Sequence, residues 1–290
     1  MRVKELLKFG IMELEQSGVV EASTDARLLL ENCLGKSRTE VFLLAESEVD
    51  ATRQEQYRQC IDRRQKREPV GYILGQCEFW SLQFYVTPDV LIPRPETEFL
   101  IDRALSLAKK NNLSSGNILD LCSGSGVIAV VLAKETGERV TAIDISASAL
   151  RVAQLNGRRH GVLSGVDFIQ GDLFSCLLQN KIFSLIVSNP PYVSRFDVDN
   201  SLEPEVARFE PRLALDGGER GLDLILKIRK ILPSMLKPGG EIFIEIGADQ
   251  GREVRRLFEK SVTGLPDFSL VEILIDYAGR DRVLHAMLVE

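Results

Sequence analysis

Apolar residues recur at helical spacing through the first part of the chain. Leu7, Ile11 and Leu14 fall on one face of a predicted helix, and Gly35 supplies a stop after the helix that follows. The pattern predicts a small all-helical domain over residues 1–70. Because this stretch carries no catalytic pattern, we expect it to recognise a substrate rather than to act on one.

The composition changes over residues 71–92, where aromatic side chains such as Phe79, Trp80 and Phe84 are dense. Aromatic and apolar residues between glycine breaks are typical of strands. We therefore predict a β-hairpin linker over this stretch, followed by a larger domain over residues 93–290.

Short apolar runs and helical patterns alternate from residue 117 onward. The runs predict strands at 118–121, 140–144, 166–170, 182–188 and 241–246, then a closing hairpin at 269–276 and 282–289. The patterns between them predict helices at 127–133, 147–157, 173–179, 221–236 and 249–260. Such alternation indicates an α/β fold with a mostly parallel sheet and helices on both of its faces.

The charge balance limits the partners that this chain can bind. The net charge is −6 and the sequence pI is about 5.3, which argues against a protein that binds by neutralising many phosphates. We interpret the basic run at residues 63–67 as a solvated helix end. No direct nucleic-acid substrate is expected.

The cysteines, histidines and apolar runs give further limits. The five cysteines form no C-x-x-C pair, which indicates reduced thiols in a cytoplasmic protein. His160 and His285 alone offer no metal-ligand spacing, so we expect no metal. No apolar run approaches the ~20 residues of a membrane span, and the first residues lack a signal-peptide pattern.

Polar side chains stand where predicted strands end, and a glycine-rich turn follows the first of them. The acids and the amide at these ends are Asp120, Asp144, Asp172 and Asn189. The turn consists of Cys122, Ser123, Gly124, Ser125 and Gly126. Because ligands of parallel sheets bind at the carboxyl ends of the strands, we predict one binding site at this edge.

The glycine turn alone leaves two cofactors open. Together with Asp144 it fits a loose fingerprint for a dinucleotide or for S-adenosylmethionine, since both carry an adenosine ribose. Asp120 favours S-adenosylmethionine, because a carboxylate there can face an amino group but would repel a pyrophosphate. Asp172 can accept from an adenine amine, with Leu173 beside the ring, although a helix N-cap would also explain Asp172 by itself.

The segment Asn189-Pro190-Pro191-Tyr192 ends the fourth predicted strand. Its two prolines fix the backbone, so that Asn189 is held on a stiff rim. The asparagine amide offers one acceptor and one donor group to a planar NH2-bearing substrate, and the Tyr192 ring can cover it. A Pro-rich turn with a surface asparagine is the alternative.

Taken together, these segments resemble the class I S-adenosylmethionine-dependent methyltransferases, and more closely the PrmC/HemK family that methylates a glutamine of peptide chain release factors. The resemblance covers nearly the whole chain, and its most specific parts are residues 91–98 and 209–218. It implies a Rossmann-like sheet, S-adenosylmethionine as cofactor and S-adenosylhomocysteine as product. We expect the protein to be a monomer.

The resemblance also implies roles for the residues. Residues 122–126, Asp144 and Leu173 would contact the cofactor, and residues 189–192 would hold the glutamine of a Gly-Gly-Gln loop. Catalysis would rest on the Asn189 side-chain oxygen and the Pro190 carbonyl, which accept from the two hydrogens of the substrate amide.

Cys122 departs from the family pattern, since this position is usually glycine. A Cβ is tolerated there only if the backbone keeps a negative φ. We expect cofactor binding to survive because Gly124 and Gly126 remain.

Other functions fit parts of the pattern. An exocyclic-amine nucleic-acid methyltransferase would use the same four residues, 189–192, but the acidic balance and the lack of a basic domain count against it. A glutamine methyltransferase of a ribosomal protein would share nearly every site residue. A cofactor-binding scaffold would have lost Asn189, and a dehydrogenase would need a hydride-transfer acid or base near it.

Overall fold

The chain folds into two units that differ in secondary structure. One unit contains Met1–Gln76 with Glu203–Phe209, and the other contains Cys77–Leu202 with Glu210–Glu290. The computed structural model describes residues 1–110, 117–178, 180, 182–260 and 267–289.

The first unit is helical, as predicted. Its helices before residue 76 are α1 (Val3–Gln16), α2 (Ala22–Leu34), α3 (Arg38–Leu43), α4 (Ala51–Gln65) and α5 (Val70–Leu74). Gly35 has a φ of 62° and ends α2 in the left-handed conformation. The side chains of Leu6, Leu29 and Tyr57 are fully buried in its core.

Segment 203–209 is bound to this unit by a buried ion network. Arg64 donates from Nε to Asp25 Oδ2 at 2.7 Å and from Nη2 to Glu205 Oε1 at 2.8 Å. Because buried charges are stable only when paired, this arginine fixes a segment that lies far away in the sequence.

A two-stranded hairpin begins after α5, with β1 at Gln76–Phe79 and β2 at Leu82–Tyr85. The predicted start of the hairpin at residue 71 is therefore wrong. The chain is helical there, and Gly75 ends α5 with a φ of 69°. Trp80 and Ser81 form the turn, each with a φ of 55°. Two positive φ values match the twist of a tight hairpin.

The second unit alternates strands and helices. The strands are β3 (Asn117–Leu121), β4 (Val140–Asp144), β5 (Val166–Gln170), β6 (Phe183–Ser188), β7 (Leu236–Glu245), β8 (Phe268–Ile275) and β9 (Asp281–Leu288). The helices from residue 95 onward are α6 (Pro95–Lys110), α7 (Val127–Thr136), α8 (Ala147–Arg159), α9 (Arg195–Asn200), α10 (Pro204–Phe209, in the first unit), α11 (Asp223–Ile231) and α12 (Gly251–Glu259).

The strands from β3 onward form one sheet, which the described residues show as seven-stranded. Its order is β5-β4-β3-β6-β7-β9-β8. Neighbours from β5 to β7 are parallel, whereas β9 is antiparallel to β7 and to β8. The predicted α/β class, parallel sheet and closing hairpin are confirmed.

Two predicted helices need correction. Among the described residues of 173–179 the chain forms turns, not a helix. The helix predicted at 221–236 is shorter, since α11 ends at Ile231, a 3-10 turn follows, and β7 already begins at Leu236. Pro233 follows soon after Ile231, and proline cannot supply the backbone donor that a longer helix needs.

Alternate residues of the central strands pack into two hydrophobic layers. Leu185 and Val187 of β6 belong to one layer, and Ile186 between them belongs to the other. Burial of both faces explains why β6 reads as a continuous apolar run. None of the helices within the described ranges is both long and apolar enough to span a membrane.

Cys122 has a φ of 62°, so the condition that its backbone stay at negative φ is not met. The residue stands at the first position after β3, where the chain turns toward α7. A side chain in the left-handed region costs about 1–2 kcal/mol. Cys122 therefore holds a conformation that glycine would adopt without strain.

A buried histidine, His285 of β9, lies between the strands β7 and β8. The His285 ring stacks on Phe243 with a centroid distance of 4.3 Å. Its Nε2 lies 3.0 Å from Glu241 Oε2 and its Nδ1 lies 2.8 Å from Glu272 Oε1. Burial opposes protonation, but the two carboxylates outweigh it, and the pKa of His285 is raised.

We expect Cys122→Gly to be more stable than Cys122→Ala by about 1 kcal/mol, because only the alanine variant keeps the strained Cβ. Urea denaturation followed by the fluorescence of Trp80, the one tryptophan in the sequence, measures this. Cys77 in β1 has no positive φ, so the matched pair there should show the usual order, with alanine more stable. The same order at both positions would contradict strain at Cys122.

We expect His285→Gln to lower the melting temperature more at pH about 6 than at pH about 9. A raised pKa stabilises the fold fully below the unfolded pKa, and this stabilisation is lost as the pH rises through the folded value. His160 is the control, because burial lowers its pKa and the trend for His160→Gln should have the opposite sign. An effect of His285→Gln that does not depend on pH would refute a charged His285 between Glu241 and Glu272.

Candidate active site

The carboxyl ends of the four strands β5, β4, β3 and β6 lie side by side at one edge of the sheet. Leu121 of β3 pairs with Ser188 of β6, and the Ser188 hydroxyl donates to the Leu121 carbonyl at 2.8 Å. The chain adds β4 and β5 on one side of β3 and then crosses to add β6 on the other side of β3. The direction in which strands are added therefore reverses between β3 and β6. This is the point where open parallel sheets bind ligands.

A cavity of about 390 Å³ opens at this edge. Most residues singled out in the sequence line it, namely Cys122, Ser123, Gly124, Ser125, Asp144, Asp172, Leu173, Asn189 and Pro191. Asp120, Gly126, Pro190 and Tyr192 are not among the lining residues. A cavity of this size is within the range of small-molecule sites.

Asp144 at the end of β4 connects the glycine turn to the next helix. Its Oδ2 accepts from the Gly124 backbone N–H at 2.8 Å, and its Oδ1 accepts from Ser146 N–H at 2.8 Å. Burial raises the pKa of Asp144, and these two backbone donors oppose the rise. The carboxylate is thereby held against the cavity in one orientation.

Asp120 lies behind the turn rather than in the cavity wall. Its side chain is fully buried, and Oδ2 accepts from the Ala129 N–H of α7 at 3.1 Å. Oδ1 has no hydrogen-bond partner among the described residues. Burial raises the pKa of Asp120 to about 7, and the Ser123 side chain and the Ala129 N–H oppose the rise.

Gly126 also acts from behind the wall. Its φ is 79°, and a Cβ at this position would lie 2.7 Å from the Ala153 Cβ of α8. Only glycine allows the turn to pack this closely on α8. Gly126 therefore shapes the cavity through packing.

Asp172 and Leu173 close the side of the cavity at β5. Asp172 is exposed, whereas Leu173 is buried with a φ of 51°. A positive φ is rare for a bulky residue, and here it lies directly in the cavity wall. Leu173 and Ile128 supply part of the apolar lining.

The Asn189 side chain lies at the cavity beside the glycine turn, and its orientation is set by a buried network. Asn189 Nδ2 donates to Thr97 Oγ1 at 3.0 Å, and Thr97 Oγ1 donates to Glu245 Oε2 at 2.8 Å. Tyr192 does not simply cover the cavity, because its hydroxyl donates to Glu245 Oε1 at 3.0 Å.

Thr97 and Glu245 were not predicted as site residues from the sequence. Thr97 belongs to the first turn of α6, within the proline-rich segment 91–98. Glu245 ends β7 next to β6, and its immediate neighbours Ile244 and Ile246 are apolar. A carboxylate between apolar residues of a buried strand is unusual, and this signal could have identified it.

The two segments that the sequence marked as specific meet in the structure. Arg94 of segment 91–98 donates from Nη2 to Glu210 Oε1 of segment 209–218 at 2.6 Å. The Glu210 side chain is almost fully buried. Pro93, which precedes Arg94, and Pro211, which follows Glu210, both line the cavity.

Comparison with known families matches both parts of the chain. Residues 5–75 match the model of the PrmC N-terminal domain, and residues 97–219 match that of the methyltransferase small domain. Among solved structures, a methyltransferase from Pyrococcus furiosus has a TM-score of 0.52 at 17% identity, over 73% of this chain and 91% of that one. At this identity the likeness shows the fold alone.

Relatives at higher identity extend over nearly the full length. A release factor glutamine methyltransferase of Koribacter versatilis (strain Ellin345) is 38% identical, with 98% of each chain covered. Another, of Vibrio cholerae, is 39% identical over 97% of this chain and 95% of its own. The protein therefore belongs to the family of release factor glutamine methyltransferases.

Proposed function

We propose that this protein transfers a methyl group from S-adenosylmethionine to the side-chain amide nitrogen of the glutamine in the Gly-Gly-Gln loop of peptide chain release factors. The observation that carries the proposal is the position of Asn189. Its amide lies at the same cavity as the glycine turn and Asp144, so a planar amide held by Asn189 would lie next to a cofactor held by the turn.

As a member of this family, the protein is an S-adenosylmethionine-dependent methyltransferase. When bound, this cofactor supplies a methyl group activated on a sulfonium. Asp144 suits the ribose hydroxyls, because a carboxylate has about four acceptor sites and the backbone donors of Gly124 and Ser146 leave part of this capacity facing the cavity. Asp172 and Leu173 would contact the adenine. Asp120 Oδ1, which has no hydrogen-bond partner among the described residues, would be a second acceptor behind the turn.

Cys122 does not act as a nucleophile in this proposal. Desolvation, together with the charges of Asp144 and Asp120, raises the pKa of its thiol. A neutral thiol is a poor nucleophile. Cys122 instead forms part of the wall that the turn presents to the cofactor.

Asn189 and Pro190 would hold the methyl acceptor. The nitrogen of a carboxamide is a weak nucleophile, since its lone pair is delocalised into the carbonyl group. Acceptance of its two hydrogens by the Asn189 side-chain oxygen and the Pro190 carbonyl orients the nitrogen and stabilises the positive charge that develops on it. The proton can leave after transfer, so no strong base is needed.

The charges around the cavity favour a protein substrate over a nucleic acid. Carboxylates of Asp89, Asp144, Asp172 and Asp216 line it, and Lys227 is the one basic side chain among the described lining residues. Such a rim repels a phosphate backbone. A glutamine on a protein loop brings no such charge.

The helical unit is proposed to recognise the release factor outside its loop, since none of the described lining residues of the cavity belongs to it. We also propose that the protein acts as a monomer in the cytoplasm, where translation takes place. Within the described ranges, no group of three or more His, Cys, Asp or Glu side chains could hold a metal ion.

Mass spectrometry of a release factor incubated with the protein and S-adenosylmethionine should show the mass of one added methyl group on the loop glutamine. The whole release factor should have a lower KM than a loop peptide, because only the whole protein can contact the helical unit. A release factor with the loop glutamine changed to asparagine is the control. Methylation of a ribosomal protein or of RNA in its place would refute the substrate assignment.

Asn189→Ala should lower kcat by about a hundredfold or more while the Kd for S-adenosylmethionine stays within about twofold of the parent. Asp144→Ala should instead weaken cofactor binding by about tenfold or more, the loss of charge-assisted hydrogen bonds. Calorimetric titration and single-turnover assays separate the two effects. Parent-like turnover in Asn189→Ala would exclude the proposed role of this amide.

A further inference from the structure

A chain of buried hydrogen bonds connects Asn189 to the end of β7. Thr97 is 2% exposed and Glu245 is fully buried. The Thr97 hydroxyl oxygen lies 2.8 Å from Glu245 Oε2 and 3.0 Å from Asn189 Nδ2. On the other side of the carboxylate, the Tyr192 hydroxyl lies 3.0 Å from Oε1.

The direction of these hydrogen bonds follows from the chemistry of the groups. An ionised carboxylate only accepts, so the hydroxyls of Thr97 and Tyr192 must both donate to Glu245. A hydroxyl has one hydrogen, and Thr97 has used it. Thr97 Oγ1 can then only accept from Asn189, which places Nδ2 toward Thr97 and Oδ1 away from it.

The order of these hydrogen bonds requires an ionised Glu245, whose charge two hydroxyl donors stabilise within a buried site. Burial raises the pKa of Glu245, while the hydrogen bonds from Thr97 and Tyr192 and the positive charge of Arg282 oppose the rise. Glu96 adds a smaller like-charge repulsion. An assay at pH about 8.5, well above the usual range of carboxyl groups, therefore tests the ordered network.

We infer that Thr97 and Glu245 are positioning residues that select the orientation of the Asn189 amide, so that its oxygen and not its NH2 group meets the substrate amide. The inference rests on the proposed function, because it assumes that Asn189 accepts from the substrate. A flipped asparagine would set its own NH2 against that of the glutamine. Donor would then meet donor, and the acceptor contact would be lost.

The location of Glu245 gives this inference a second support. A buried carboxylate carries a desolvation cost, and an apolar residue of similar size often makes a fold more stable. Phe243, two residues earlier and therefore on the same face of β7, is fully buried in a hydrophobic layer, which shows that this face accommodates apolar side chains. Glu245 satisfies two hydroxyls there, and one of them is in direct contact with Asn189.

Thr97→Val tests the inference, because it removes the hydroxyl and retains the shape. We expect kcat to fall about ten- to a hundredfold, the usual cost of a misplaced catalytic group, with the KM for the release factor and the Kd for S-adenosylmethionine within about twofold of the parent. Thr97→Ser retains the hydroxyl and should recover most of kcat. If Thr97 served only in folding, kcat would not fall in Thr97→Val and recover in Thr97→Ser while KM and Kd stayed unchanged.

Thr136→Val is the matched control. Thr136 in α7 donates to the Leu132 carbonyl at 2.7 Å and does not line the cavity. The same chemical change there should leave kcat unaltered. Melting temperatures of all variants show whether a loss of kcat reflects unfolding, and Glu245→Gln, which can accept from only one of the two hydroxyls, should reduce kcat if Thr97→Val does not fold.

Asn189→Ala, assayed alongside, separates the inference from the proposed function. Loss of activity in Asn189→Ala with parent-like kcat in Thr97→Val would overturn the positioning role and leave the proposed function intact. Equal losses in Thr97→Val and Thr97→Ser would overturn it as well. Parent-like activity in Asn189→Ala would overturn the proposed role of Asn189, and this inference with it.

Discussion

The parallel pairing of β3 with β6 is the constraint on which the active site depends. Parallel strands end at the same edge, so the glycine turn after β3 and the asparagine after β6 must lie side by side. The Ser188 hydroxyl, which donates to the Leu121 carbonyl, fixes that pairing at its last residue. The backbone register thus brings the proposed cofactor site and the proposed substrate site together.

The site is held in place by elements that cost stability. Cys122 and Leu173 both have positive φ at the cavity wall, and Asp120 and Glu245 are carboxylates in the protein interior. Strain and buried charge of this kind persist only where the surrounding structure imposes them. The two hydrophobic layers around the sheet supply the stability that offsets these costs, and each costly group supports a turn, a wall or an orientation at the cavity.

Much of the architecture could be predicted from the sequence. The alternation of apolar runs with helical patterns identified the α/β class, since strand and helix periods differ. The errors came where local signals compete. Turns are found at 173–178, within the helix predicted at 173–179, and α5 replaces the start of the predicted hairpin at 71–75. The φ of Cys122 could not be inferred either, because the conformation of a turn is set by the elements that it joins.

The sequence by itself determined which residues stand at the strand ends, and with them the family and the chemistry of Asp144 and Asn189. Only the tertiary structure decided which of these side chains reach the cavity, placing Asp120 and Gly126 behind its wall. It also decided how Asn189 is oriented, through Thr97 of α6 and Glu245 of β7, which are far from it in the chain. Local patterns record the backbone period and the type of each residue, whereas a hydrogen-bond network across separate elements exists only once the sheet has brought those elements together.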